Sequence, residues 1–162
     1  GGSCEAGHYV GAFTGKYYAP AALNTATDVA SVDTAAVLGG PVLPGLEFTL
    51  NSSKSEIFAI TGGKIRGTAN GLFPFDIDLT GNLDCSTGKF TGTMNGHYTV
   101  VGINYPFLGT ITADYNKITH QFINGTWTLH EPLADGGLPP IVVPGITMAP
   151  GGSGSWNADW KK

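Results

Sequence analysis

One short pattern constrains this chain most: an apolar residue, any residue, a glycine, any residue and a second apolar residue. In an extended strand, residues i, i+2 and i+4 lie on one face. Each copy therefore places a glycine between two apolar side chains on the same face, which predicts half-buried antiparallel strands. The copies are Tyr9-Gly11-Phe13, Ile65-Gly67-Ala69, Leu79-Gly81-Leu83, Phe90-Gly92-Met94, Phe107-Gly109-Ile111 and Ile123-Gly125-Trp127, with a partial copy at Gly154 and Trp156.

A glycine on the core face lets a strand coil sharply and approach its neighbour closely. A series of such glycines across neighbouring strands favours a strongly curved sheet. We therefore predict an all-β fold, an antiparallel meander closed as a barrel, with a β-sandwich as the alternative. Two dipeptides, Gly62-Gly63 and Asn95-Gly96, are typical of tight hairpins and predict turns at those points.

Composition narrows the class of protein. A chain of 162 residues fits one domain, which we divide into a linker with a cysteine anchor (1–8) and a single β domain (9–162). Only 12% of the residues are charged, against ~25% in typical soluble domains. The net charge is −4 and the sequence has no basic patch, so nucleic acid is not expected as a partner. No apolar run approaches the roughly 18 residues of a transmembrane helix.

The chain has two cysteines, Cys4 and Cys85. A cysteine pair in a glycine-rich, charge-poor β chain predicts one disulfide and an oxidising, extracytoplasmic compartment. The alternative is two unrelated free thiols. A bond between these residues would join the N-terminal segment to the turn that follows Leu83.

Two long insertions interrupt the otherwise short connections, at residues 19–45 and 131–152. Both are apolar and nearly uncharged. Long loops of this kind are often functional, so we expect the insertions either to cap one end of the barrel or to expose a contact surface. That surface would include Val37, Leu38, Ile141, Val142 and Val143, and it would serve self-association or contact with another surface protein.

Four aromatic residues are candidates for lining a ligand cleft near the insertions: Tyr17, Tyr18, Trp156 and Trp160. The competing interpretation is that they belong to the core. If they line a cavity, an apolar or carbohydrate ligand is expected.

Asp76 and Asp78 place two carboxylates on one strand face, which makes them candidates for a metal site or for an acid–base pair. A solvated strand face explains the same pattern. The four histidines are too far apart in the sequence for a local zinc motif, and no nucleophile elbow, phosphate loop or dinucleotide fingerprint occurs. We therefore assign no catalytic residue and expect no cofactor, which leaves a carboxylate enzyme as the third hypothesis.

Threonine pairs such as Thr91-x-Thr93, Thr110-x-Thr112 and Thr126-x-Thr128 repeat on the polar faces of the predicted strands. Ice-binding proteins use arrays of this kind, but they need a flat face. Threonine is also a good residue for exposed strands in general.

Three stretches carry a resemblance to a group of proteins: Gly-Ser-Cys-Glu-Ala-Gly-His-Tyr-Val-Gly-Ala-Phe-Thr-Gly from residue 2, Gly-Leu-Phe-Pro-Phe-Asp-Ile-Asp-Leu-Thr-Gly-Asn-Leu-Asp-Cys from residue 71, and Gly-Gly-Ser-Gly-Ser-Trp from residue 151. They resemble uncharacterised secreted or lipoprotein β domains of myxobacteria and related environmental bacteria. The resemblance implies a secreted or cell-surface location and paired Cys4 and Cys85, and it implies no activity.

The leading hypothesis from the sequence is a non-enzymatic extracytoplasmic surface module that acts by protein contact, adhesion or assembly. A barrel that binds an apolar or carbohydrate ligand is the alternative.

Overall fold

The computed structural model describes residues 3–18, 26–30, 45–69, 73–100, 102–130, 141–143, 146–148 and 151–162. These residues are all β, as the glycine pattern predicts. The strands are β1 (Gly7–Tyr18), β2 (Ala26–Ala30), β3 (Leu46–Leu50), β4 (Ile57–Ala69), β5 (Phe73–Asp84), β6 (Lys89–Val100), β7 (Ile103–Asn116), β8 (Gln121–His130), β9 (Ile141–Val143), β10 (Ile146–Met148) and β11 (Gly151–Lys161).

Eight of these strands form an antiparallel meander that closes into a barrel. The strands run in the order β1, β3, β4, β5, β6, β7, β8 and β11, and β11 pairs back onto β1. This closing ladder is long, since it extends from His8 opposite Lys161 to Tyr18 opposite Gly151. The barrel prediction is therefore confirmed, and the sandwich alternative is wrong. Strands β9 and β10 form a separate two-stranded sheet.

The second strand position of the barrel is shared by β2 and β3. Both lie between β1 and β4: β3 near the start of β1, and β2 near its end. Ala30 of β2 lies opposite Thr14 of β1, and Leu46 of β3 lies opposite Gly11 of β1. Ala30 and Leu46 thus belong to the same strand position, so the first insertion contributes a strand to the barrel.

Aromatic side chains fill one half of the barrel, and Phe122 lies at their centre. Its ring is 5.0 Å from the rings of Tyr9, Phe48 and Tyr115. The rings of Phe90 and Trp156 lie 5.4 and 5.8 Å away. Phe122 and Phe48 are completely buried. Edge and stacked contacts of this kind add to the free energy of apolar burial.

Inward-facing glycines allow the backbones of neighbouring strands to come close. A side chain at Gly11 would overlap the carbonyl oxygen of Asn157, and one at Gly154 would overlap that of Thr14. Gly109 meets the Thr128 carbonyl in the same way. These positions lie at neighbouring strand pairs around the barrel. The sheet closes into a barrel, as the series of core-face glycines predicts.

Both predicted hairpins are absent. Strand β4 runs through Gly62-Gly63, where the register with β5 shifts and Gly62 takes a φ of +63°. Strand β6 runs through Asn95-Gly96, which pairs with β5 on one side and with β7 on the other. Because both edges of that segment are paired, it cannot turn back on itself. The dipeptides serve a bulge and a close backbone approach instead.

The copy of the pattern in β8 is also interrupted. The register between β7 and β8 shifts after Thr112, and Asn124 takes a φ of +53°. This bulge moves Phe122 onto the inner face, while Ile123 is only half-buried. Bulges insert one extra residue and reorient the residues beside it. The central residue of the core is thus placed by an irregularity in the strand.

If backbone proximity at the glycines is essential, Gly11→Ala will cost about 3 kcal/mol of unfolding free energy, as in other overpacked sites. Gly62→Ala is the matched control, because a side chain at Gly62 would meet no atom within 4 Å. The only expected loss of unfolding free energy there is about 1 kcal/mol, from the strain of an alanine at a φ of +63°. Urea unfolding followed by tryptophan fluorescence measures both. Equal losses would contradict this account of the curvature.

Candidate functional site

The two ends of the barrel differ. At the disulfide end, where β1 begins, Cys4 is bonded to Cys85 with a Cα–Cα distance of 6.0 Å. The predicted disulfide is thus confirmed. It holds residues 3–6, which we call the strap, against the turn between β5 and β6. Cys85 is buried, and its backbone N–H donates to the carbonyl of Glu56 at 2.8 Å.

A cycle of hydrogen bonds fastens the strap from inside the barrel. The Tyr9 hydroxyl donates to the Glu5 carbonyl at 2.6 Å, and the Glu5 N–H donates to the Tyr115 hydroxyl at 3.1 Å. The two hydroxyls are 2.7 Å apart. Since a phenol has one proton, Tyr115 donates to Tyr9 and the cycle is complete. The disulfide end is therefore closed by a covalent bond and by this tyrosine pair.

Burial strongly changes the pKa of one member of the tyrosine pair, Tyr9. Loss of solvation, reinforced by the hydrogen bond with Tyr115, raises the pKa of the Tyr9 phenol far above its ordinary value. The phenol thus stays neutral and keeps the proton that it donates to Glu5. Sequence reasoning placed Tyr9 on the inner face but missed this pair, because the positions are 106 residues apart.

The four aromatic ligand candidates are distributed along the barrel and do not form one cluster. Trp156 is buried in the core, and its indole N–H donates to the Thr112 carbonyl at 3.0 Å. Trp160 is half-buried at the disulfide end, where its ring lies 5.5 Å from that of His120. Tyr17 and Tyr18 end β1 at the opposite end of the barrel, opposite Gly152 and Gly151.

The carboxylates of Asp76 and Asp78 lie on the outer surface, in an open groove. The Lys64 ammonium lies between them and forms ion pairs with both. The hydrogen bond to Asp78 is the main reason why the pKa of Lys64 is raised. His97 lies across from Asp76 on β6 and lines the same groove. Among the described residues, no cluster of three or more histidine, cysteine, aspartate or glutamate side chains is placed to hold a metal.

A second polar network lies on the outer surface nearer the disulfide end. Lys89 on β6 pairs with Asp114 on β7, and Asn124 on β8 donates to the other carboxylate oxygen of Asp114 at 3.2 Å. The lysine contact is the main reason why the pKa of Asp114 is lowered. These surface groups ion-pair and hydrogen-bond with one another.

Between the two charged regions, the outer surface carries two rows of hydroxyl side chains, which we call the hydroxyl belt. Cross-strand register brings together residues that are far apart in the sequence, and all of them are exposed. One row contains Thr80, Thr93, Thr110, Thr128 and Ser153. The other contains Thr91, Thr112, Thr126, Ser155 and Thr14.

Hydroxyls in the belt are hydrogen-bonded in cross-strand pairs. The oxygen–oxygen distances are 2.8 Å for Thr80 with Thr93 and 3.0 Å for Thr110 with Thr128. Thr112 and Thr126 are 2.9 Å apart. The sequence indicated the threonine pairs within single strands, but it did not show that the pairs align across five or more strands.

The insertion end lies opposite the disulfide end. Tyr18 at the end of β1 pairs with Ala26 of β2 and with Gly151 of β11. Gly151 in turn pairs with His130 at the end of β8. The strand ends that border residues 19–25 and 131–150 therefore lie next to one another.

The structure describes only part of the predicted contact surface. Val37 and Leu38 fall outside the described residues. Ile141, Val142 and Val143 form β9, which pairs with β10 (Ile146–Met148).

Comparison of the chain with protein-family models, with curated proteins and with solved structures found no match. In the part of the chain that the structure describes, no helix is long and apolar enough to cross a bilayer.

The raised pKa of Tyr9 makes stability depend on alkaline pH. The folded protein holds the phenolic proton more tightly than the unfolded chain, so this contribution is complete below about pH 10 and is lost above it. We expect wild type to lose more unfolding free energy than Tyr9→Phe between about pH 8 and about pH 11. Urea unfolding at both values tests this, and equal losses would contradict it.

The disulfide is expected to stabilise the fold without being needed to form it, because the barrel ladders do not pass through it. The Cys4→Ala/Cys85→Ala double variant should fold and lose about 2–4 kcal/mol. Urea unfolding of the variant and of chemically reduced wild type should agree. A variant without a cooperative unfolding transition would show that the strap is needed for folding.

Proposed function

We propose that this chain is a non-enzymatic, extracytoplasmic surface module that acts by protein contact, adhesion or assembly through its two apolar insertions. One observation carries the proposal. The strand ends that border residues 19–25 and 131–150 lie next to one another at one end of a barrel whose other end is closed by the strap. Cys4 and Lys161 both lie at the closed end of the barrel.

The chemistry of the insertions supports contact with protein. Residues 138–146 read Leu-Pro-Pro-Ile-Val-Val-Pro-Gly-Ile, and residues 31–44 contain one charged side chain, Asp33. Contiguous apolar patches on a domain surface are typical of interaction sites. The proposed contact residues are Val37, Leu38, Ile141, Val142 and Val143.

The absence of an enzymatic role is supported by the state of the polar groups. The described carboxylates of Asp76, Asp78 and Asp114 are ion-paired on open surfaces, whereas catalytic groups work best where water is excluded. An extracytoplasmic location is supported by the Cys4–Cys85 bond, since such bonds persist in oxidising compartments.

The register of the barrel permits a precise test. Ala30 lies opposite Thr14 of β1 and Leu46 lies opposite Gly11, so two residues are needed to join Ala30 to Leu46 along the ladder. Gly45 is one of them, because its carbonyl accepts a hydrogen bond from the Arg66 N–H at 2.9 Å. One valine in place of residues 31–44 would make this strand continuous. Because His130 pairs with Gly151, an Asn-Gly turn in place of residues 131–150 would form a two-residue hairpin.

We expect the full chain to self-associate at high concentration and the doubly shortened variant to remain folded and monomeric. Size-exclusion chromatography with light scattering measures the mass, and circular dichroism checks the fold. The matched control keeps both insertions and carries Ile118→Ser, which removes an apolar side chain that is 83% exposed at the other end of the barrel. A full chain that stays strictly monomeric would contradict the assembly form of the proposal.

A barrel that binds an apolar or carbohydrate ligand remains the second candidate. It is favoured by one feature near the insertion end, where buried Phe75 lies opposite Tyr98 and Tyr98 lies opposite Tyr105. Eight strands enclose a space that side chains can fill or that can hold one small ligand. Native mass spectrometry of the same sample separates the candidates, since a ligand adds a small mass and assembly doubles it.

A further inference from the structure

The hydroxyl belt is a neutral surface between two charged ones. Continuing along β5 and β6 from the belt, the next outward positions are Asp78 and Asn95 toward the insertion end. Toward the disulfide end, β5 continues with Asn82 and then Asp84, β6 continues with Lys89, and β7 continues with Asp114. The belt itself contains threonine and serine alone, and its rows are bordered by Asn82 on β5 and by Lys16 on β1. Its hydroxyls offer many hydrogen-bonding partners to a neutral, hydroxyl-rich ligand.

The paired hydroxyls retain hydrogen-bonding capacity. Each hydroxyl has one donor and two acceptor sites, and one bond between partners uses one donor and one acceptor. A pair such as Thr112 and Thr126 therefore still presents one donor and three acceptors to a ligand. Sugar hydroxyls have the same dual character, so each pair can both donate to and accept from a sugar.

The belt is also held in place before any ligand arrives. Threonine is β-branched and has few accessible rotamers, and the cross-strand bonds fix the hydroxyl positions further. A surface with little freedom to lose binds at lower entropic cost. The belt contains no aromatic or arginine side chain of the kind that dominates protein interfaces, which argues against a protein partner at this face.

Curvature decides which neutral ligand fits. Each row crosses five neighbouring strands of a barrel of eight, so its hydroxyls follow an arc. Ice and crystalline polysaccharides present flat, rigid lattices that cannot follow an arc. A flexible single chain can, and the strand spacing of about 4.8 Å is similar to the length of one sugar unit.

We propose that the hydroxyl belt binds a neutral, flexible polysaccharide chain along the outer face of β6, β7, β8 and β11. This inference does not rest on the contact proposed for the two apolar insertions, because the belt lies on the side of the barrel and is formed by different residues.

Affinity electrophoresis in native gels that contain dextran or pullulan tests the proposal. Wild type should be retarded by these neutral α-glucans but not by alginate, which is charged. The double variants Thr110→Val/Thr128→Val and Thr112→Val/Thr126→Val keep side-chain shape and strand propensity, and each should weaken retardation at least tenfold. The corresponding Thr→Ser variants keep the hydroxyls and should retain binding.

Thr61→Val is the matched control, since Thr61 is an exposed strand threonine outside the belt that accepts a hydrogen bond from Asn51 at 3.0 Å. It should bind like wild type. The proposal is overturned if wild type is not retarded by either glucan, if the valine variants bind unchanged, or if the protein instead inhibits ice recrystallisation. The variant without both insertions should bind the glucans normally, so this result is independent of the assembly test.

Discussion

The close approach of neighbouring backbones at the inward-facing glycines is the constraint on which this structure depends. At Gly11, Gly109 and Gly154, a side chain would occupy the space of a carbonyl oxygen on the next strand. The sheet can therefore coil tightly enough for β11 to pair with β1 over eleven residue pairs. Closure removes the free sheet edges, and it leaves an interior that aromatic side chains fill around Phe122.

Closure also makes the two ends and the outer surface chemically distinct. The strap, the disulfide and the pair of Tyr9 and Tyr115 close one end, whereas the strand ends that border residues 19–25 and 131–150 lie at the other. On the outer face, ion-paired groups lie on either side of a neutral belt of hydroxyls. A contact through the two apolar insertions and a polysaccharide on the belt would use separate surfaces, so one module can carry both.

Much of the fold was predictable because glycine and apolar residues alternate with the period of a strand. That periodicity identified the inner face of most strands, and composition identified the disulfide. The errors arose where local signals had two meanings. Gly62-Gly63 and Asn95-Gly96 are typical of hairpins, but they also suit a bulge and a close approach. Only the pairing of both strand edges distinguishes these cases.

The sequence by itself determined the β class, the curvature and the position of the disulfide, since these follow from the alternation of residues along single strands and from cysteine chemistry. Tertiary structure alone decided the rest. The bulge at Asn124 brings Phe122 into the core, Tyr9 meets Tyr115, and threonines of separate strands align into the belt. Each of these depends on register between strands, which is fixed by packing around the closed barrel and is not encoded in any one segment.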